Sequence, residues 1–128
     1  MRIPSLGELE TAVLEQIWAD GPSDVKRLYA AVGKRRRITL NTVQSTMERL
    51  WRKGLLDRDK VSHAYVYSAR RTRAELCAQM VEQVVGDVLH GEPATLLSAF
   101  VDLAARADRG NLDRLEALIA KRRGDDGR

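Results

Sequence analysis

The stretch Thr39–Ser68, TLNTVQSTMERLWRKGLLDRDKVSHAYVYS, limits the possible folds more than any other part of the chain. Val43, Met47, Leu50 and Trp51 follow one another at intervals of four, three and one, which puts them on one face of a helix. The other face carries Asn41, Thr42, Gln44, Ser45, Glu48, Arg49 and Arg52. Thr39 is suited to cap this helix, because its hydroxyl can accept a hydrogen bond from a free N–H of the first turn. Gly54 fits the left-handed position that ends it. Leu55–Arg58 and Tyr65–Ser68 then read as two short strands joined by a turn over 59–64. Tyr65 and Tyr67 alternate with Val66, so one strand face packs and the other is exposed.

Two helices precede this stretch. The first is expected from Leu6 to Asp20, with Ser5 as cap, Glu8 completing a capping box and Gly21-Pro22 as its stop. Ser23 reads as the cap of a second helix, 24–32, which Gly33 ends. Lys34–Arg37 is then a four-cation connector. Three helices followed by a β-hairpin make a winged helix-turn-helix, whose third helix can enter a major groove while the hairpin reaches the backbone beside it.

Residues 72–128 read as three more helices. Thr72 and Glu75 form a capping box for a helix over 73–89, which includes Leu76, Cys77, Met80, Val84 and Val88. Pro93 opens the next helix as an N-terminal proline, with Leu97 and Phe100 on its apolar stripe. Asn111 is expected to cap the last, which carries Leu115 and Ile119, with a frayed charged tail from Lys121. Three short helices without a sheet cannot bury these faces alone, and a second copy of the chain is the simplest cover. The fold class is therefore mostly α with a small β-hairpin. A winged-helix domain spans 1–71 and a helical dimerisation domain spans 72–128, its interface drawn from Leu76, Met80, Val84, Val88, Leu97, Phe100, Leu115 and Ile119.

Charge follows the same division. Residues 1–71 hold 14 Lys+Arg against 8 Asp+Glu, a net of +6, and residues 72–128 hold 8 against 10, a net of −2. A basic front half suits a polyanionic partner, here double-stranded DNA. Asn and Gln can pair bidentately with adenine, and a Thr methyl can meet a thymine methyl. Asn41, Thr42, Gln44 and Ser45 are therefore the candidate base readers, and Thr39, Arg49, Arg52, Arg58, Lys60 and His63 the candidate phosphate contacts.

Other chemistries find little support. The single cysteine, Cys77, has no disulfide partner in the chain and reads as a small buried hydrophobe. Cys77, His63 and His90 lack metal-ligand spacing, so neither metal nor cofactor is expected. No phosphate loop or nucleophile elbow is present, and enzyme activity is not expected. The chain lacks a signal-peptide pattern and an apolar run of membrane-spanning length, so a cytoplasmic location is expected.

The segments LGELETAVLEQIWADGP, TLNTVQSTMERLWRKGLL, YVYS and LLSAFVDLA resemble the BlaI/MecI/CopY family of bacterial penicillinase-type repressors, from about residue 5 to residue 120. The resemblance implies a homodimeric repressor on an inverted-repeat operator, often with TACA/TGTA half-sites, in β-lactamase-type antibiotic-resistance control. On the matching positions, Asn41, Thr42, Gln44, Ser45 and Arg49 meet DNA. In the penicillinase branch, a membrane sensor protease system triggers cleavage at an Asn-Phe bond. The matching bond is Ala99–Phe100, with alanine in place of asparagine. The copper branch uses a C-terminal cysteine cluster, whereas the tail KRRGDDGR has none. From the residues alone, two other functions remain open: a winged-helix regulator that senses a small ligand, and a winged-helix protein-interaction module with no DNA role.

Overall fold

The computed structural model describes residues 6–89 and 92–127, without the side chains of Val88 and Leu89. Ser5, His90 and the side chain of Val88 thus lie outside the described residues. Six helices and one hairpin follow in order: α1 (Glu8–Asp20), α2 (25–36), α3 (Leu40–Arg52), β1 (Leu56–Val61), β2 (Ala64–Ala69), α4 (Arg73–Val84), α5 (Pro93–Ala107) and α6 (Asn111–Asp126). The chain divides into two compact units, Met1–Gln83 and Val84–Arg128.

In the first unit, Val13, Leu14 and Ile17 of α1, Leu28 and Val32 of α2, and Val43, Met47 and Leu50 of α3 are buried together. Leu55, Leu56 and Tyr67 close this core from the hairpin side. The helix ends differ from the sequence expectation. Gly7 precedes α1, and its N–H donates to the Glu10 carboxylate at 3.3 Å, so Glu10 rather than Glu8 serves the cap. Asp24, not Ser23, caps α2 by accepting from the Arg27 N–H at 2.8 Å.

Ser23 has a different role. It exchanges two backbone hydrogen bonds with Tyr67, at 2.9 and 2.8 Å, and so pairs as a one-residue strand beside β2. Gly33 does not stop α2. The helix widens into a π turn over Tyr29–Gly33 and continues through Lys34–Arg36, ending at Arg37 with φ +57°. Three of the four connector cations are thus the last helical turn, where positive charge opposes the partial negative end of the helix dipole.

The hairpin is longer and tighter than expected. Val61 pairs with Ala64, so Ser62 and His63 alone form the turn, with Ser62 at φ +59°. Asp59 and Lys60 belong to the ladder, opposite Val66 and Tyr65. Thr72 and Glu75 form the reciprocal cap of α4, each backbone N–H donating to the other's side-chain oxygen at 3.1 Å.

Contacts within the first unit hold Arg71 and extend past it into α4. The Trp18 indole N–H donates to the Arg71 carbonyl at 2.9 Å, and the Arg71 guanidinium donates to the Gly54 carbonyl at 3.2 Å. Leu76 is only 4 % exposed, and Met80 packs on the same core. Leu76, expected at a subunit interface, is instead a core residue of the first unit. Cys77, one position around the helix, is exposed rather than buried.

The second unit begins as α4 ends and the chain winds through a wide turn, Val85–Leu89, followed by α5 and α6. Asn111 does not cap α6. Its side-chain amide donates to the Ala104 carbonyl at 2.8 Å and so serves the end of α5, while Gly110 takes the cap position of α6. The tail expected to fray continues α6 to Asp126. Leu97, Val101, Leu103, Leu112, Leu118 and Ile119 are all exposed, and Phe100 is 43 % exposed. Leu115 is half-buried.

Candidate nucleic-acid interface

The exposed face of α3 exists because its opposite face is fully committed. Val43, Thr46, Met47 and Leu50 are buried, which turns Asn41, Thr42, Gln44, Ser45, Arg49 and Arg52 outward. Thr46 joins the buried stripe, whereas Trp51, expected in it, is only half-buried. Thr46 can be buried because its hydroxyl donates to the Thr42 carbonyl at 2.8 Å. Patterning by apolar residues alone misses a threonine satisfied in this way.

The N-terminus of α3 is held open for contact. Thr39 Oγ1 accepts from the Thr42 N–H at 3.1 Å and lies 2.9 Å from the Thr42 hydroxyl. Asn41, Thr42, Gln44 and Ser45 therefore stand in the first turn and a half of a well-capped helix, where a groove-inserted helix meets base edges. The Arg49 guanidinium donates to Thr46 Oγ1 at 3.3 Å, and Arg52 pairs with Glu48 at 3.0 Å. The exposed run Lys34–Arg37 ends two residues before the cap.

The wing does not present its candidates equally. Lys60 and His63 are exposed near its tip. Arg58 is half-buried, with its guanidinium carbon 3.5 Å from the centre of the Trp51 ring and 4.1 Å from that of Tyr65. Arg58, Lys60, Tyr65 and Tyr67 share one face of the hairpin by register. Along that face Tyr67 is 3 % exposed at the root, whereas Tyr65, further out, is 42 % exposed. A groove of about 500 Å³ runs between α2, α3 and the wing, lined by Lys26, Leu40, Gln44, His63, Tyr65 and Tyr67. It brings Gln44 and His63 together across 19 residues of sequence, and adds Lys26 and Tyr65, which were not among the candidate DNA contacts.

At the other end of α3, Glu10 and Lys53 form a 2.7 Å ion pair that ties α1 to the end of α3. Burial pushes the Glu10 carboxyl up. The Lys53 and Gly7 hydrogen bonds and the nearby charges of Lys53 and Arg49 outweigh it, so the carboxyl sits below its ordinary 4.5. Among the described residues, no three His, Cys, Asp or Glu side chains gather as a metal site. No helix among them is long and apolar enough to cross a membrane.

A capped helix with an uncharged polar first turn and a half, a cationic approach and a two-stranded wing behind it define a winged helix of the DNA-binding kind. The chain belongs to the penicillinase repressor family, whose pattern matches residues 6–121. It is similar to the transcriptional regulator BlaI of two Mycobacterium tuberculosis strains, CDC 1551 / Oshkosh and ATCC 25618 / H37Rv. Each is 25% identical over 121 residues, covering 94% of this chain and 86% of the relative. Among solved structures, the DNA binding domain of the repressor BlaI matches with a TM-score of 0.53 at 23% identity. That match covers 58% of this chain and 90% of that domain, and it supports the fold.

Proposed function

We propose that the chain is a homodimeric repressor that occupies an inverted-repeat operator and excludes transcription by steric overlap with a promoter, acting in the cytoplasm. The observation that carries this reading is the exposed first turn and a half of α3, uncharged and polar, above a fully buried opposite face. Asn41, Thr42, Gln44 and Ser45 read base edges. Thr39, Arg49, Arg52, Lys60 and His63, with the Lys34–Arg37 run, hold phosphates. Arg49 and Arg52 already have protein partners, so phosphate contact means sharing or exchanging them.

The exposed apolar side chains of the second unit support the homodimer. Leu97, Leu118 and Ile119 are each at least half exposed in one chain, and a second copy of α5 and α6 offers a surface of the same character. Two winged helices related by a two-fold axis then meet two half-sites of a palindrome. The resemblance points to a role in antibiotic-resistance control and to a membrane sensor protease as the releasing partner. The bond matching the family's cleavage site, Ala99–Phe100, lies within α5, so a protease must first unwind that helix.

Binding of the purified protein to its own upstream intergenic DNA and to random DNA, at two salt concentrations, tests the reading. Selective, salt-sensitive binding with two chains per site is expected. Equal, weak binding to both DNAs would overturn it.

A further inference from the structure

We propose that Arg58 is a positioning residue: its guanidinium, stacked between Trp51 of α3 and Tyr65 of the wing, fixes the wing against the helix and so sets the spacing of their two DNA contacts. This rests on the repressor reading above. The sequence offered Arg58 as a phosphate ligand, but the geometry sets its guanidinium carbon over two aromatic rings, 3.5 and 4.1 Å from their centres. Its Nη1 also lies 3.5 Å from the hydroxyl of Tyr67, its cross-strand partner.

The position of the stack in the hairpin explains why it is needed. At the root, Tyr67 is buried and its backbone is paired to Ser23. Beyond Tyr67 the hairpin leaves the core: Tyr65, Lys60, Val61, Ser62 and His63 are all exposed. A two-stranded hairpin is marginal without packing. The Trp51–Arg58–Tyr65 stack provides that packing at the point where the hairpin departs. Trp51 lies in the last turn of α3, so a movement of the wing is felt by the helix directly. Arginine suits the place because its flat, weakly hydrated cation can stack on both faces, whereas a lysine ammonium is compact and strongly hydrated.

The test compares Arg58→Lys, Arg58→Met, Trp51→Phe and Trp51→Leu in the full-length protein. Amide exchange of the wing over 59–66 is measured without DNA. Salt titration and hydroxyl-radical footprinting are measured on the operator selected by the wild type and on random DNA. Arg58→Lys keeps the charge but is expected to lose about tenfold in operator affinity, at an unchanged salt slope, and to speed exchange in the wing but not in α1. Its footprint should lose the wing's protection and keep that of the recognition helix. Trp51→Leu should behave likewise, and Trp51→Phe should stay near wild type.

Two results would overturn the proposal. One is a wild-type Arg58→Lys beside an Arg58→Met whose salt slope falls by about 0.9 on both DNAs, which marks a phosphate ligand. The other is faster exchange in the wing and α1 together with uniform loss of the footprint, which marks a general structural role. A wild type that selects no operator would defeat the repressor reading, and the exchange measurement would still decide the clamp.

Discussion

Gln44 illustrates how little of a side chain's chemistry is committed before DNA arrives. It is exposed on α3, and it lines the groove toward the wing rather than the middle of the helix face. A bidentate amide–adenine pair is worth about 1–3 kcal/mol of discrimination. Gln44→Ala is therefore expected to weaken operator binding by about that amount and to leave random-DNA binding unchanged, as competition titrations would show. Equal losses on both DNAs would remove Gln44 from the base readers. Glu10 is the opposite case, since its chemistry is wholly internal. Its carboxyl is held below 4.5 in the folded chain by Lys53 and the Gly7 N–H, against the cost of burial. A depressed folded value means that the stabilisation is present above 4.5 and disappears as the pH falls through the folded value. Glu10→Gln should cost about 1–2 kcal/mol at neutral pH. It should also flatten the loss of stability below pH 4.5, which chemical denaturation across pH would record.

At the scale of elements, α2 depends on one absent side chain. A Cβ on Gly33 would lie 2.3 Å from a ring carbon of Tyr29 and 3.1 Å from a methyl of the buried Val43. Gly33→Ala should force α2 away from α3 and cost about 1–3 kcal/mol in thermal or chemical unfolding. Unchanged stability would mean that Tyr29 moves aside freely. Such a glycine shows what could and could not be read in advance. The amphipathic α3, its Thr39 cap, the Gly54 terminus and the Thr72–Glu75 cap were legible, because each is a pattern within a few residues. The role of Gly33 was not, because it depends on a ring four residues back and on a methyl of another helix. Ser23 looked like a helix cap, since its pairing with Tyr67 spans 44 residues. The stack on Arg58 was hidden because a basic residue in a hairpin carries no mark of the ring it lies on. Of the candidate site, the exposure of Asn41, Thr42, Gln44 and Ser45 followed from periodicity. The unequal standing of Arg58, Lys60 and His63 required the register of the strands.

The whole molecule is two units with opposite economies of surface. The first buries a complete core, whereas α5 and α6 leave Leu97, Phe100, Leu118 and Ile119 exposed in a single chain. Leu118→Glu should convert the proposed dimer to a monomer in sedimentation. It should lower operator affinity by about 10²–10⁴-fold, because two linked half-site contacts become one. A dimer that survives the change would place the interface elsewhere. The reach of the first core past residue 71 makes a further prediction. A fragment ending at Arg71 loses Leu76 from that core and should be about 2–5 kcal/mol less stable than one ending at Gln83, as comparative unfolding would show. Equal stabilities would mean that α4 adds nothing to the first unit. The same burial governs how this regulator can be recombined. A chimera that joins its winged helix to another protein's second unit must be spliced within α4, after Met80, because a seam at the hairpin's end would leave Leu76 and Met80 behind.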